Sequence, residues 1–600
     1  MIVSDDFIFL YFCTMIQYKR IFLTAILLCA AVMMQAQMQW YNPLHQERPV
    51  LQGRWWQTEI SDSYHRLPDR CIGTVTVGAW QQSMLSSGLS ILFRSNSPRI
   101  HVRFTTGVGS RQMKHWPTAG CAGMDLYATD KHGTLRWCAG TLQVGDTLRM
   151  MYDGLTYQEM NTAYGYEYEL FLPLAVEVLS LEIGVEQGTM FKFLPISMEP
   201  PIVSYGTSIA MGGCASRPGM SWQNIVRREL GHPQVNLGFS GNGKLEPAVF
   251  DMLSEIPAKL YAIDCLPNMT GRKDVVKLTV DGVRILRSKS SAPILLVEHS
   301  GYTNETTNAS RKAAYEDTNV QLRQAYDSLV NAGVREVYLL THKEIGLSQD
   351  DLVDGVHPSD LGMRRIADAY VRKIRQILHQ LQPEETYFLP RIQTRDTYDW
   401  RLRHEQELEM ARKGDAEIVM IGNSITHFWS GLPRDKWHRG DDSWKSLFGE
   451  RKVMNMGFGW DRIENILWRI YHGELDGFEA KQIVMMVGTN NFFINTNEEI
   501  VKGILQVVEA VRQRQPKAQI YVQAIYPRRN GEERMAQLNA QLQEGLCALA
   551  DEAIHYINPG KVLLGDDGKV REELFTGDGL HPSESGYRLL AEELRKHLGL

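Results

Sequence analysis

The sequence predicts an α/β protein in which two units with parallel sheets follow an all-β domain. Residues 40–195 contain short runs of alternating apolar and polar residues separated by turn residues, a pattern typical of a sandwich or jelly roll. Beyond them, short apolar strands alternate with helical stretches, which favours parallel sheets with a ligand site at the carboxyl ends of the strands. A set of short motifs occurs twice in the same order, so we expect two copies of one unit.

The length of the chain also indicates several domains. Its 600 residues exceed what a single hydrophobic core usually supports, so we expect three or four domains. The expected segments are a signal peptide at 1–36, a β-sandwich domain at 37–198, a first α/β unit at 199–380, a linker at 381–395 and a second α/β unit at 396–600.

The N-terminal residues predict export. Lys19 and Arg20 precede an apolar run at 21–34, and Ala36 suits the position before a signal-peptidase cut. This run is shorter than the ~20 residues that a membrane span needs, and no later segment has a transmembrane pattern. We therefore expect an exported protein, in the bacterial periplasm or secreted, without an integral span in the mature chain. A start at Met15 stays an open alternative to a start at the first residue.

Ten residues of the repeated motifs are candidates for catalytic sites. In the first unit they are Ser208, Gly241, Asn268, Asp354 and His357, and in the second they are Ser424, Trp460, Asn490, Asp578 and His581. The later positions follow the first serine by 33, 60, 146 and 149 residues and the second by 36, 66, 154 and 157. The near-constant spacing predicts that both copies place these residues in the same arrangement.

Each residue type has a chemical reason to be there. A serine hydroxyl is a weak nucleophile near neutral pH, so it needs a histidine as base and a carboxylate that orients the histidine. An aspartate three residues before the histidine can supply that carboxylate from the same loop. The asparagine and the backbone amides of the glycine-rich turn are candidates for the donors that stabilise an oxyanion. Neither serine lies in a G-x-S-x-G elbow, which disfavours the common α/β-hydrolase arrangement.

At these residues the chain resembles the SGNH, or GDSL, hydrolase superfamily, whose four blocks contribute Ser, Gly, Asn and His. The resemblance implies flavodoxin-like, three-layer α/β/α domains that work without a metal. The second copy is similar to the catalytic subunit of platelet-activating-factor acetylhydrolase, at 453–469 and 487–491. The first copy is similar to a bacterial GDSL-like group in which a β-rich domain precedes the hydrolase, at 206–209 and 213–219.

Both copies depart from the pattern of that superfamily. The aspartate that usually precedes the nucleophile is Thr207 in the first copy and Asn423 in the second. The glycine of the oxyanion turn is kept as Gly241 in the first copy, whereas Trp460 occupies this place in the second. A tryptophan still offers its backbone N–H, but a residue other than glycine restricts the turn. The candidate nucleophile, base and acid are intact in both copies.

Charge and cysteine content argue against several other classes. A formal net charge of −6 gives no electrostatic reason to expect a nucleic acid partner. No Cys-x-x-Cys spacing occurs, and neither copy has a set of His, Cys and carboxylate residues with ligand spacing, so we expect no zinc or other metal site. No cofactor is expected either. Cys214 and Cys265 flank the first candidate site, and both a disulfide between them and two separate buried thiols stay open.

The function expected from these features is that of an exported serine esterase with two active sites. Export, the leading β domain and the two esterase units together favour short acyl (acetyl) esters on polysaccharides or oligosaccharides, so the expected partner is an acetylated carbohydrate. One alternative is a lipid or phospholipid acyl hydrolase, which the likeness of the second copy supports. The other is that one copy is a degenerate carbohydrate-binding module. The oligomeric state is open.

Overall fold

The structure is a computed structural model that describes residues 37–60, 62–156, 160 and 163–600. The signal peptide predicted at 1–36 lies outside the described residues. Within the ranges that are described, no helix is both long enough and apolar enough to cross a membrane.

The N-terminal domain consists of two antiparallel sheets packed face to face. Its strands are β1 Met38–Tyr41, β2 Leu51–Gln52, β3 Ser90–Ser95, β4 Arg99–Gly109, β5 Asp125–Thr129, β6 Leu135–Cys138, β7 Thr141–Gln143, β8 Leu148–Asp153, β9 Tyr166–Phe171, β10 Val176–Glu186 and β11 Phe191–Phe193. The sheet orders are β1-β10-β4-β8-β7 and β11-β3-β9-β5-β6, with β2 paired to β3. Alternate apolar residues of both sheets form one core. The prediction of an all-β domain is confirmed. Two short helices accompany the sheets, α1 Val77–Ser83 and α2 Thr118–Cys121.

The first α/β unit has a five-stranded sheet in the order β13-β12-β14-β15-β16. Its strands are β12 Ile202–Gly206, β13 Gln234–Gly238, β14 Leu260–Asp264, β15 Ile294–Val297 and β16 Val337–Leu340. All pairings are parallel. The helices are α3 Ser208–Met211, α4 Trp222–Leu230, α5 Pro247–Leu253, α6 Val275–Arg287, α7 Ala309–Asn331, α8 His342–Ile345 and α9 Asp360–Ile377.

The apolar residues of these strands divide the unit into three layers. Val203 and Tyr205 of β12 join a hydrophobic cluster with α5, α6 and α7. Ile202 of the same strand joins a second cluster with α4 and α9. Because successive side chains of a strand point to opposite faces, the two clusters cover the two sides of the sheet. Helices on both faces make this an α/β/α unit, as predicted.

The second α/β unit repeats this topology, with strand order β18-β17-β19-β20-β21. Its strands are β17 Ile418–Gly422, β18 Val453–Gly457, β19 Gln482–Met486, β20 Gln519–Gln523 and β21 Ile554–Ile557. Its helices are α10 Trp400–Lys413, α11 Ser424–His427, α12 Asp441–Phe448, α13 Ile463–Tyr471, α14 Asn497–Arg514, α15 Glu532–Ala548 and α16 Glu584–Leu598. These strands also pair in parallel. The predicted fold class, two α/β units behind an all-β domain, is confirmed.

A buried polar network joins the two α/β units. Glu199 precedes β12, and its carboxylate accepts hydrogen bonds from His232 Nδ1 at 2.7 Å and Lys259 Nζ at 2.5 Å. Lys259 Nζ also donates to the carbonyl oxygen of Tyr471 in the second unit, at 2.9 Å. The His472 ring stacks on that of His232 with centroids 4.3 Å apart. The two units therefore meet over charged groups that are removed from water.

Residues predicted as a linker pack against the second unit. Phe388 is 3% exposed and belongs to the core of that unit. Arg391 pairs with Glu464 at 3.0 Å. The segment is thus packed against the second unit and contributes to it.

Candidate active site

Each candidate nucleophile lies where a central strand meets a short helix. Ser208 follows β12 and begins α3, and Ser424 follows β17 and begins α11. The residues before them, Thr207 and Asn423, cap these helices by accepting a hydrogen bond from the backbone N–H two residues on. Serine is held at the carboxyl edge of the sheet in both units, where ligands of such sheets bind. The cap explains why Thr and Asn serve at the place where the superfamily usually has Asp.

In the first unit, serine, histidine and aspartate form one hydrogen-bonded chain. Ser208 Oγ lies 2.9 Å from His357 Nε2, and His357 Nδ1 lies 2.8 Å from Asp354 Oδ2. A carboxylate only accepts hydrogen bonds, so Nδ1 carries the proton and Nε2 accepts from the serine hydroxyl. The other oxygen, Asp354 Oδ1, accepts from the backbone N–H groups of Val356 and His357 at 2.9 and 2.7 Å.

The second unit has the same chain of bonds. Ser424 Oγ lies 2.8 Å from His581 Nε2, and His581 Nδ1 lies 2.7 Å from Asp578 Oδ2. Thr576 and the backbone N–H groups of Leu580 and His581 donate to Asp578 Oδ1 at 2.8, 2.9 and 3.0 Å. Burial by itself raises the pKa of this carboxyl, but the hydrogen bonds from His581 and its neighbours outweigh burial and hold the pKa well below its usual range. The aspartate is therefore ionised whenever the site works.

The turn after the second strand of each motif has the same backbone conformation in both units. Gly241 has φ 68° and Trp460 has φ 62°, both in the left-handed region. The residues after them, Asn242 and Asp461, donate their N–H groups to the carbonyl oxygens three residues back, at 2.9 and 3.1 Å. The turn thus keeps its shape although tryptophan replaces glycine, and the N–H of residue 241 or 460 stays available as an oxyanion donor.

The candidate asparagines contact the same turns. Asn268 Oδ1 accepts from the N–H of Gly243 at 3.3 Å, which leaves its amide group for a ligand. Asn490 Nδ2 donates to the carbonyl oxygen of Asp461 at 2.9 Å, so one of its two N–H bonds is engaged. In each unit the structure thus brings the five predicted residues together at one edge of the sheet.

Two aromatic residues near the second serine have different surroundings. Trp460 is 39% exposed, and its ring lies 6.4 Å from that of Phe428, which in turn lies 6.0 Å from the ring of His581. Phe492 is 4% exposed and belongs to the core of the unit. The core accounts for Phe492, so of these two aromatic rings only the Trp460 ring lies at the surface of the site.

The cysteines that flank the first site are free thiols. Cys265 is buried and its Sγ lies 3.6 Å from the carbonyl oxygen of Tyr205, and Cys214 is partly exposed. Burial raises the pKa of the Cys214 thiol to about 12, and the Asp354 carboxylate acts in the same direction. Of the two states left open by the sequence, the structure has separate protonated thiols.

Two arginines hold the oxyanion turns, and the sequence did not reveal them. Arg66 of the β domain is fully buried, and its Nη1 donates to the carbonyl oxygens of Asn236 and Gly238 at 2.9 and 3.0 Å. Its guanidinium group lies over the ring of Phe239, 5.3 Å from the centroid. These three residues lead directly into the turn at Gly241, so a side chain from another domain fixes it.

In the second unit, Arg403 of α10 makes the equivalent contacts. It donates to the carbonyl oxygens of Asn455 and Gly457 at 2.6 and 2.8 Å and lies over the ring of Phe458, 5.1 Å from the centroid. Arg66 and Arg403 stand in segments that have no counterpart in the other copy. A comparison of the two motif sets therefore could not reveal these arginines. It showed only the segment that they contact, which is Asn-x-Gly-Phe in both copies.

The turn is also fixed one residue before the oxyanion donor, and again by different means. In the first unit, Gln82 of α1 accepts the N–H of Ser240 at 3.2 Å. In the second, His427 Nδ1 accepts the N–H of Gly459 at 3.0 Å. Burial lowers the pKa of His427 to about 4, and the Arg403 charge acts in the same direction, so the ring is neutral at neutral pH.

One group of described residues has the composition of a metal site. The ligating atoms of Glu199, His232 and His472 lie within 4.8 Å of one another. However, Lys259 Nζ lies 2.5 Å from the Glu199 carboxylate, so a cation of the protein already neutralises it. This arrangement fits a structural ion pair between the two units better than a metal.

The comparisons with known proteins agree with the fold and the motif sets. Residues 199–375 and 420–589 match two family models, both described as the GDSL-like Lipase/Acylhydrolase family. Residues 38–191 match a model described as the N-terminus of Esterase_SGNH_hydro-type. The two GDSL-like matches together span more than half of the chain.

Individual relatives match different shares of the chain. Human platelet-activating factor acetylhydrolase IB subunit alpha1 is 28% identical over 202 residues, which are 33% of this chain and 82% of the relative. Subunit alpha2 from Rattus norvegicus is 29% identical over the same shares. A Bacteroides ovatus protein described as a GDSL-like lipase has a crystal structure that is similar with a TM-score of 0.52 and 28% identity, over 57% of this chain and 98% of that one. The chain belongs to the GDSL-like lipase/acylhydrolase family, and it is an ester hydrolase.

Proposed function

We propose that both α/β units are active and that each hydrolyses short acyl esters, chiefly acetyl esters. The observation that carries this proposal is the presence of two complete hydrogen-bonded sets: Ser208, His357 and Asp354 in one unit, and Ser424, His581 and Asp578 in the other. A unit that had become a binding module would have no need to keep all three residues in bonding geometry. This favours two esterase sites over one site and a degenerate copy.

In the proposed reaction, the serine Oγ attacks the acyl carbon while its proton passes to Nε2 of the histidine. The aspartate stabilises the imidazolium that forms, and it stays ionised itself. Backbone N–H groups of Ser208 and Gly241, with the Asn268 amide, donate to the oxyanion in the first unit; Ser424, Trp460 and Asn490 do so in the second. The proton on Nε2 leaves with the alcohol. Water then attacks the acyl-serine by the same route and releases the acid.

The proposed substrates are acetylated polysaccharides or oligosaccharides outside the cytoplasm. Two features support this class: the export signal expected from the sequence, and the exposed aromatic surface at the second site. Trp460 is 39% exposed and Phe493, next to the core residue Phe492, is 78% exposed. Exposed rings that flank a site can stack on sugar rings, because each presents an apolar face beside polar groups.

A second candidate is the hydrolysis of acetyl esters on lipids. The chain matches 82% of the length of the platelet-activating factor acetylhydrolase subunits, which favours such substrates for the second unit. The two candidates share the acetyl group and differ in the alcohol part. Acetylated xylan and a short-chain acetyl glycerolipid, offered side by side, distinguish them.

The proposal of two sites is tested by removing each nucleophile. Ser208→Ala and Ser424→Ala should each abolish part of the activity on 4-nitrophenyl acetate and acetylated xylan, and the double variant should lose essentially all of it, with a residual rate about 10³- to 10⁶-fold lower. Ser430→Ala, which removes a serine outside both sets, is the matched control and should keep full activity. If one single variant already lost all activity on every ester, the other unit would not be an esterase.

A further inference from the structure

Two arginines extend the second site beyond the residues of the proposed reaction. The Arg395 guanidinium group lies over the ring of Trp460, 5.5 Å from its centroid. The Arg439 guanidinium group lies over the ring of Phe428, also at 5.5 Å, and that ring is 6.0 Å from the ring of His581. Both charges are therefore one aromatic ring away from the oxyanion turn or from the base.

A third arginine lies by the asparagine and the aspartate. Arg528 Nη1 lies 3.4 Å from the carbonyl oxygen of Thr489, the residue before Asn490. Burial lowers the pKa of Arg528 below its usual value, while the nearby Asp578 carboxylate acts in the opposite direction. Arg395, Arg439 and Arg528, here called the arginine set, thus border the second site from the turn, the base and the asparagine.

The arginine set lacks the partners that neighbouring arginines have. Within the described residues, no carboxylate oxygen lies within 4.0 Å of any of its three guanidinium groups. Arginines a few residues away along the chain are paired: Arg391 with Glu464 at 3.0 Å, Arg434 with Asp441 at 3.4 Å, and Arg529 with Glu572. The three arginines that border the site therefore differ from these neighbours in having no ion-pair partner.

The absence of an ion-pair partner costs the folded protein free energy. Arg395 Nε and Arg439 Nη1 are buried atoms without a hydrogen-bond partner in the structure. Burial also lowers the pKa of Arg395, since its charged form has lost part of its water. A ligand that brings negative charge to the accessible part of these guanidinium groups would regain part of the cost of desolvating them.

We propose that the second site selects esters whose alcohol part carries an anionic group, a carboxylate, phosphate or sulfate, which the arginine set binds. The inference rests on the proposed esterase function of this unit. In the proposed function the acyl part of the ester is a small, uncharged acetyl group. The anionic group must therefore belong to the alcohol part. The planar guanidinium fork suits this role, because it donates two parallel hydrogen bonds to a carboxylate or phosphate.

The test uses Ser208→Ala protein, in which only the second site is active, and two esters that differ in charge. We expect kcat/KM for 4-acetoxybenzoate to exceed that for methyl 4-acetoxybenzoate about tenfold at low salt, and the ratio to shrink in 0.5 M NaCl, where exposed charges are screened. Arg395→Gln, Arg439→Gln and Arg528→Gln should each lower this ratio several-fold. Arg434→Gln, which alters an arginine with its own carboxylate, should leave the ratio unchanged.

The outcomes separate the two proposals. If the Ser208→Ala protein hydrolysed neither ester, the esterase function of the second unit would fall and the anion site with it. If it hydrolysed both at equal rates, and the arginine variants kept that ratio, only the anion site would be refuted.

Two pairs of natural-type substrates then identify the source of the charge. The first pair is acetylated polygalacturonate and acetylated xylan; the second is a 2-acetyl glycerophospholipid and the matching neutral 2-acetyl glycerolipid. A preference for acetylated polygalacturonate in the first pair indicates that the anionic group comes from an acidic polysaccharide. A preference for the phospholipid in the second pair indicates that it comes from a phospholipid head group. Preference for the neutral member of both pairs would refute the inference.

Discussion

Trp460 keeps a backbone conformation that glycine adopts without strain. Its φ of 62° costs a residue with a side chain about 1 kcal/mol, because Cβ crowds the following carbonyl. Asp461 holds the chain in place, since its buried carboxylate accepts hydrogen bonds from Trp400 Nε1 and Arg469 Nε, both at 2.8 Å. Strain of this kind persists only where surrounding bonds enforce it. In return for this backbone strain, the second site keeps the indole ring of Trp460 at its rim.

Replacing this tryptophan should change the size of the acyl group that the second site accepts. In the Ser208→Ala background, Trp460→Gly keeps the backbone N–H and removes the ring, so the ratio of acetyl to butyryl hydrolysis should fall about tenfold, as expected when methylene groups gain room. Initial rates on 4-nitrophenyl acetate and butyrate give the ratio. Trp437→Gly removes another exposed tryptophan of the unit and serves as control. An unchanged ratio in Trp460→Gly would mean that the indole does not limit the acyl pocket.

His427 should make the second unit sensitive to acid. Its pKa is about 4 in the folded protein against an ordinary 6.5, because burial and the Arg403 charge disfavour the imidazolium. The unfolded chain binds this proton as pH falls through 6.5, whereas the folded chain does not until about pH 4. Stability is therefore unaffected above 6.5 and declines between 6.5 and 4, by at most about 3 kcal/mol.

The measurement compares thermal unfolding of the wild type and His427→Asn at several pH values. Asparagine can still accept the N–H of Gly459 but does not titrate. The wild type should therefore lose stability relative to the variant as pH falls from 7 to 4.5. A difference in unfolding temperature that stayed constant over this range would contradict the neutral state of His427.

At the scale of elements, each α/β unit borrows an arginine from a segment outside its sheet. Arg66 comes from the β domain and Arg403 from α10, yet both bind the last carbonyl groups of the second strand of the motif, β13 or β18. A buried carbonyl left without a donor costs about 1–3 kcal/mol, so each arginine sets where its strand ends and its turn begins. We regard both as positioning residues.

Conservative replacements should affect only the site that each arginine holds. Lysine keeps the charge but cannot donate to two carbonyl groups in the plane of a fork. Arg66→Lys in the Ser424→Ala background and Arg403→Lys in the Ser208→Ala background should lower kcat about 10- to 100-fold, with a smaller change in KM, because a displaced turn weakens oxyanion binding most. Circular dichroism verifies the fold. Equal losses of kcat and of substrate affinity would argue for a general structural role instead.

How far the sequence could predict the structure depends on which contacts lie inside the repeat. In each copy, the candidate residues either follow the end of a strand or share one loop. The repeated motif was therefore enough to predict that they lie together. Arg66 and Arg403 come from unrelated segments, and neither carries a motif that pattern reading could detect. For Phe492 the sequence left both a core position and a place at the site open, since its distance along the chain from Asn490 does not tell which way its side chain points.

Across the whole molecule, charge links the two α/β units. Burial by itself raises the pKa of Glu199, but the charge of Lys259 and contacts with His472 and His232 outweigh it and hold the pKa well below its usual range. The β domain adds its own pairs with α10: Arg94 with Asp399 at 2.9 Å, and Glu167 with Arg401. Removing one partner of a buried pair is costly, because the other charge stays without compensation.

Breaking this link should destabilise the protein as a whole. Lys259→Met leaves the Glu199 carboxylate buried without its cation, and we expect a loss of about 3–5 kcal/mol. Calorimetry of the variant should show a lower unfolding temperature. If the intact network couples the unfolding of the two units, the variant should also show a separate transition for each unit. Lys517→Met, which removes an exposed lysine paired with Glu479, should change little. An unfolding profile like that of the wild type would show that the network adds no stability.

The segments that match the two family models do not include the arginines that hold the oxyanion turns. A fragment trimmed to 199–375 leaves Arg66 behind, and one trimmed to 420–589 leaves Arg403 behind. Each copy takes its brace from the segment that precedes it, a sheet domain in one case and a helix in the other. The copies are therefore not interchangeable. A fragment that began at β17, without α10, would keep every catalytic motif of the second unit and still lack the brace for its turn.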